Sequence, residues 1–137
     1  SASDIFNRPH NPFVANFIGG HNVLQGEQEQ VAGQPTRLTL AGVVQPATPI
    51  NDASGPQTLS VRYDRIRIQL VASEQSLPAT IQDIEYQGNH SLVHCQLADQ
   101  QVMTTLCPDH ELEQLQLCAG QLIHLHWQTQ DINLFHH

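Results

Sequence analysis

The chain contains no lysine, and among its 137 residues only five arginines stand against thirteen carboxylates, a formal charge of -8. Without lysine the phosphate-binding loop G-x-x-x-x-G-K-[ST] cannot occur, so ATP hydrolysis by that device is excluded. The acidic excess repels phosphate backbones and anionic lipid over a Debye length of about 10 Å, which argues against nucleic acid and membrane surfaces as partners. Cysteine is scarce as well. Cys95, Cys107 and Cys118 are odd in number and form no C-x-x-C pair, which disfavours a disulfide framework and fits a reducing, cytosolic compartment. No apolar run approaches the ~20 residues of a membrane-spanning helix, and no charged-then-apolar leader opens the sequence. The first residue is Ser1 rather than Met, so the chain is expected to be a piece of a longer protein.

What is present is a globular composition, 39% apolar, of a length suited to one domain. Phe13, Val14, Phe17 and Ile18 fall at helical spacing between Pro9/Pro12 and Gly19-Gly20, which predicts a short amphipathic helix at the entry. From there the period changes to two. Strands are expected at Thr36–Val44, Thr58–Tyr63, Arg65–Leu70, Ala79–Tyr86, Ser91–Leu97, Gln101–Leu106, Gln121–Gln128 and Ile132–Phe135. Short strands in close succession imply an all-β barrel or sandwich. Gln45 to Pro56 reads as a long loop, Ala98-Asp99-Gln100 as a hairpin turn, and Pro108 to Leu117 as one helical turn with Asp109 at its N-cap.

Alternation sorts core from surface. Ile123, Leu125 and Trp127 share a predicted inner face, with Leu122, His124 and His126 opposite; Val93, Cys95 and Leu97 oppose Leu92, His94 and Gln96. Ala79–Tyr86 places apolar residues on both faces, as a β-bulge or a strand covered twice would require.

Two segments carry a family resemblance. Pro9, Phe13-Val14-Ala15, Phe17-Ile18-Gly19, Asn22 and Gly26 resemble the P-x-x-x-F-V-A-x-F-I-G run that closes the nucleotide-binding domain of ABC importer ATPases of the maltose, polyamine and ferric-iron type, and the Asn-rich joint and x-x-G strand that follow it. Val61-Arg62-Tyr63-Asp64-Arg65-Ile66-Arg67-Ile68 resembles the V-R-P-E-x-I-x-[IL] strand-turn of the same proteins, with Tyr63 in place of the proline and Asp64 of the glutamate. A third landmark is Glu85-Tyr86-Gln87-Gly88. The resemblance implies a small OB-like barrel of the transport-associated (TOBE/MOP) type over residues 21–137, behind a helical end of the nucleotide-binding domain over residues 1–20. It implies a dimerisation and regulatory module for an importer, without catalysis of its own, while ATP and Mg²⁺ belong to the parent subunit. Implied partners are a second copy of the subunit, the membrane permease subunits and a regulatory protein or small ligand, at the inner face of the plasma membrane. Gly19, Asn22, Arg62, Asp64, Tyr86 and Gly88 stand at its motif and interface positions.

Other constellations point to other chemistry. Arg65 and Arg67 are expected on one strand face and, with Thr104 and Thr105, offer donors for an oxyanion such as molybdate, the alternative function. His94, His124 and His126 would form a metal site if their strands pair. Cys107-Pro108-Asp109-His110 has C-x-x-H spacing without a second pair, and Ser91, His94 and Asp99 lack the G-x-S-x-G frame of a nucleophile. Asp109, Glu111 and Glu113 read as a solvated helical face. His136 and His137 read equally as an appended tag or as native sequence.

Overall fold

The computed structural model describes residues 16–30, 32–34, 36–45 and 54–135. Among these residues eleven strands and one short α-helix follow one another as β1 (Phe17–Ile18), β2 (His21–Glu29), β3 (Arg37–Leu40), β4 (Val43–Gln45), β5 (Gly55–Arg62), β6 (Arg67–Gln69), β7 (Leu77–Tyr86), β8 (His90–Leu97), β9 (Val102–Pro108), α1 (Asp109–Gln114), β10 (Leu122–His126) and β11 (Ile132–Leu134). One sheet has the order β11-β5-β2-β3-β4 with β1 also on β2; the other has the order β6-β10-β7-β8-β9. The expected all-β, OB-like architecture is therefore what this chain adopts.

The second sheet curls until its edges approach. Thr105 Oγ1 on β9 donates to the carbonyl of Ile66, just ahead of β6, at 2.9 Å. Leu24, Leu38, Leu59 and Val61 from the first sheet and Leu77, Ile81, Val93, Met103, Ile123 and Leu125 from the second form one core cluster, all 0–1% exposed. Burying such side chains contributes roughly 1.5–3 kcal/mol each, offset by chain entropy.

Several elements depart from the sequence-based expectation. Phe17 and Ile18, expected at the end of an entry helix, instead pair with Asn22 and His21 across Gly19-Gly20, at φ +60° and +82°. Positive φ at both central residues is the two-residue hairpin turn, so this glycine pair reverses a strand instead of stopping a helix. Phe13 and Val14 lie outside the described residues. Thr36–Val44 is likewise a hairpin, β3 and β4, turning at Ala41 and Gly42 with φ +50° and +82°.

Alternation does not reveal β2, because its buried positions are Asn22, Leu24, Gly26 and Gln28, only one of them a large apolar residue. Gly26 is required by proximity: a Cβ there would lie 2.6 Å from the Thr39 carbonyl oxygen. The mixed parity of β7 resolves into a β-bulge. Ile81 faces Cys95 and Asp83 faces His94, leaving Gln82 as the extra residue, so that Ile84 turns back toward the core.

The predicted turn at Ala98-Asp99-Gln100 closes β8 on β9, with Leu97 N–H on Gln101 O at 2.7 Å and Gln100 at φ +79°. α1 begins after Pro108, with Asp109 as its first helical residue rather than a side-chain cap. It ends in a Schellman turn: Gln116 has φ +52°, and the N–H of Leu117 reaches Leu112 O at 3.1 Å. Leu112 and Leu117 are both buried and fix the helix over the barrel end.

Candidate functional site

The seam between the two sheets is built from amide side chains. Asn22, fully buried on β2, receives the N–H of Thr104 on Oδ1 at 2.7 Å and donates from Nδ2 to the Thr104 carbonyl at 2.8 Å and to that of Val61 at 3.2 Å. Its carboxamide thus does for β9 what a neighbouring strand would do. The same device recurs on both sides. Asn16 Nδ2 donates to Val102 O at 2.6 Å, while Gln25 and Gln101 exchange bonds of 2.7 and 2.8 Å. Asn22 therefore acts as a structural clamp.

His94 extends this seam. Its Nδ1 lies 2.8 Å from Thr104 Oγ1 and its Nε2 3.1 Å from Glu85 Oε1, and the residue is 3% exposed. His94 is therefore not on an exposed outer face as expected: it is buried, while His90, Leu92 and Gln96 on the same side of β8 are half-exposed. The metal trio does not assemble. His94 pairs with Asp83 of β7 on one side, His124 with Pro78 of β7 and Gln69 of β6, and His126 with Arg67 of β6. Strand β7 separates β8 from β10, and among the described residues no three of His, Cys, Asp and Glu are placed to hold an ion. Ser91 is buried near the start of β8, whereas Asp99 lies in the turn beyond its end, so these two do not meet around His94.

The oxyanion donors also divide. Thr104 and Thr105 are 1% exposed and engaged in the seam and in barrel closure. Arg65 and Arg67 do not share a strand face, since Arg65 belongs to the 3₁₀ turn Tyr63–Arg65 and Arg67 to β6. Both nevertheless line one cavity of about 410 Å³, together with His126, Trp127, Gln128, Gln130 and Asp131. The contributions of His126, Trp127 and the turn after β10 to this cavity had no local motif to reveal them. They depend on the pairing of His126 with Arg67.

The remaining motif positions lie on turns and at strand ends near one another. Arg62 and Asp64 form an ion pair of 2.8 Å at the 3₁₀ turn. Tyr63 between them donates its N–H to Gly20 O at 2.9 Å and sets its ring 5.4 Å from that of Phe17, binding this turn to the one carrying Gly19. The N–H is one that proline could not supply. Asp64 and His90 line a second cavity of about 320 Å³, placing the 3₁₀ turn beside the β7–β8 turn that contains Gly88 at φ +96°. Tyr86 is 72% exposed and lines a groove with Asp109, Leu112, Glu113 and Leu117.

Two of the three thiols, Cys95 and Cys107, are made unreactive by burial, while Cys118 is exposed. Burial pushes the Cys95 pKa up to about 12, with Cys107 adding to it, and burial, then Glu111 and Asp109, raise that of Cys107 to about 11. Cys107 points inward while His110 is exposed, so the C-x-x-H spacing yields no half-site.

Comparison with known proteins places this geometry. The TOBE domain family matches residues 59–135, more than half of the chain. The chain is 34% identical to the osmoprotective compounds uptake ATP-binding protein GgtA of Synechocystis sp., over 70% of this chain and 28% of that protein. It is 33% identical to the spermidine/putrescine import ATP-binding protein PotA of Pseudomonas fluorescens, over 77% of this chain and 29% of that protein. With the sn-glycerol-3-phosphate import ATP-binding protein UgpC of Salmonella choleraesuis it shares 28% identity over 96% of this chain and 36% of that protein. It thus spans about a third of the length of these relatives. Its fold is similar to that of the cytoplasmic molybdate-binding protein ModG, solved with molybdate bound, at a TM-score of 0.70 and 14% identity over 85% of this chain and 96% of that one. With an OB-like barrel, the TOBE match and these relatives together, the chain belongs to the TOBE domain family, in the form found in ATP-binding subunits of ABC importers.

Proposed function

We propose that this chain is the C-terminal dimerisation and regulatory domain of the ATP-binding subunit of an ABC-type importer, without catalysis of its own. The observation that supports this reading is one of coverage. The match takes in most of this chain but only 28–36% of GgtA, PotA and UgpC, so in those proteins the corresponding segment is an appendage to a larger body. ATP and Mg²⁺ are then bound by that larger body, and the domain sits at the cytoplasmic face through the subunit's contacts with its permease partners. The turns carrying Gly19, Arg62, Asp64, Tyr86 and Gly88 form the contact surface, and Asn22 keeps the two sheets moving as one.

The mechanism is linkage: a partner that prefers one arrangement of the dimer shifts the motor's open–closed equilibrium by its differential affinity, about 1–3 kcal/mol. Removing residues 21–137 from the parent subunit, assembled with its membrane partners, is expected to preserve ATP hydrolysis while changing its coupling to uptake. Transport, regulation and dimerisation all unchanged would refute the role.

The fold shared with ModG favours a second reading, a module for an oxyanion such as molybdate. Calorimetric titration of the chain with molybdate, sulfate and polyamines separates the two. Saturable molybdate binding tighter than tens of micromolar, on the order of -6 kcal/mol or better, supports the second.

A further inference from the structure

Carboxylates outnumber cations by thirteen to five in this sequence, so any arginine left without an acidic partner stands out. Arg37 pairs with Glu29 and Arg62 with Asp64. Neither Arg65 nor Arg67 has an ion-pair partner among the described residues, and these two line the same cavity. Arg67 is held in place by its own backbone, with Nη1 donating to Asp64 O at 2.9 Å and to Ile66 O at 3.4 Å, which leaves the rest of its fork available. Arg65 makes no side-chain hydrogen bond among the described residues.

The other walls supply the complement. His126 stands directly across the strand pair from Arg67, and Trp127, the sole tryptophan of the chain, follows it. Asp131 is the single carboxylate among the described lining residues, and its Oδ2 accepts the N–H of Gln128 at 3.0 Å as part of a capping box. Gln130 and Gln128 bond to each other at the rim.

We propose that this cavity binds a phosphate monoester carried on a ring, with Arg65 and Arg67 holding the phosphate and the Trp127 indole facing the ring. Two guanidiniums with an adjacent imidazole match a dianion, whereas a carboxylate would be satisfied by one fork. A volume of about 410 Å³ exceeds what a bare tetrahedral oxyanion fills and lies in the range of small-ligand pockets. An indole at the wall offers a face for a sugar or a base. The site is separate from the Thr104 and Thr105 donors and does not depend on the dimerisation reading.

Because Trp127 is the only indole, its fluorescence reports directly on the cavity. The 137-residue chain is titrated with glucose 6-phosphate, AMP and inorganic phosphate, by fluorescence and by calorimetry. Saturable binding of at least one monoester is expected with Kd below about 1 mM, and roughly ten-fold weaker binding of inorganic phosphate. A response to glucose 6-phosphate alone marks a sugar phosphate, and one to AMP alone a nucleotide. Arg65→Gln, at an exposed side chain without a partner among the described residues, should weaken binding by roughly ten-fold or more and leave the melting temperature unchanged, and Arg67→Gln should weaken it comparably. No saturation by either monoester at about 10 mM, equal affinity for inorganic phosphate, or unaltered binding by Arg65→Gln overturns the proposal.

Discussion

Replacing Asn22 by alanine tests the seam on which the two-sheet body rests. The substitution removes the acceptor of the Thr104 N–H and the donor to the Thr104 and Val61 carbonyls, at a residue with 0% exposure. A buried polar group left unsatisfied costs about 1–3 kcal/mol, and the amide's departure adds a small cavity. Some of these groups recover partial satisfaction on relaxation, so a loss of roughly 2–5 kcal/mol is expected, a large share of a typical 5–15 kcal/mol. Urea denaturation should show the midpoint falling with an unchanged slope, and thermal unfolding a decrease of roughly 10 °C.

Asn22→Asp separates the donors from the acceptor. Its carboxylate still receives the Thr104 N–H but faces two carbonyls, so its folded-state pKa is raised above the unfolded ~3.9. Its contribution is present below that unfolded value and is lost as pH rises through the folded one. The variant should therefore be weakest near neutral pH and recover in acid relative to the parent. A loss below about 0.5 kcal/mol for Asn22→Ala, within the range of ordinary surface changes, would refute the clamp.

Two further outcomes follow from packing and burial. Gly26→Ala should destabilise by roughly 1–3 kcal/mol in the same assay, because the new Cβ meets a backbone oxygen, Thr39 O, that cannot move without opening the β2–β3 ladder. In the folded chain a thiol reagent should modify Cys118, which is exposed, and should reach Cys95 and Cys107 only on unfolding. The raised pKa values of the two buried thiols give a matching pH dependence. Their contribution is full below the unfolded value near 9 and is lost as pH rises toward about 11 and 12, so stability should fall above about pH 9, and Cys95→Ala should flatten that fall.

Much of the fold is legible where alternation is strong. β8 and β10 show inner faces at Val93, Cys95, Leu97, Ile123 and Leu125, and the bulge in β7 is foreshadowed by apolar residues of both parities. Legibility fails where the inward residue is not apolar. β2 hides its period behind Asn22, Gly26 and Gln28, and the turn at Ala41-Gly42 carries none of the Asn or Asp that mark such hairpins. Tyr63 departs from the family's proline, and the structure supplies the reason in its N–H to Gly20 and its ring against Phe17.

By itself, then, the sequence determined the β class, the turns between most strands, the absence of a phosphate-binding loop and the family, because these depend on local period and on short motifs. Only the tertiary structure decided that Asn22 clamps Thr104 across 82 positions, that His94 is buried apart from His124 and His126, and that Arg65 and Arg67 meet Trp127 around one cavity. Those meetings depend on the register of strands distant in the chain, and register is set by the packing of the whole core.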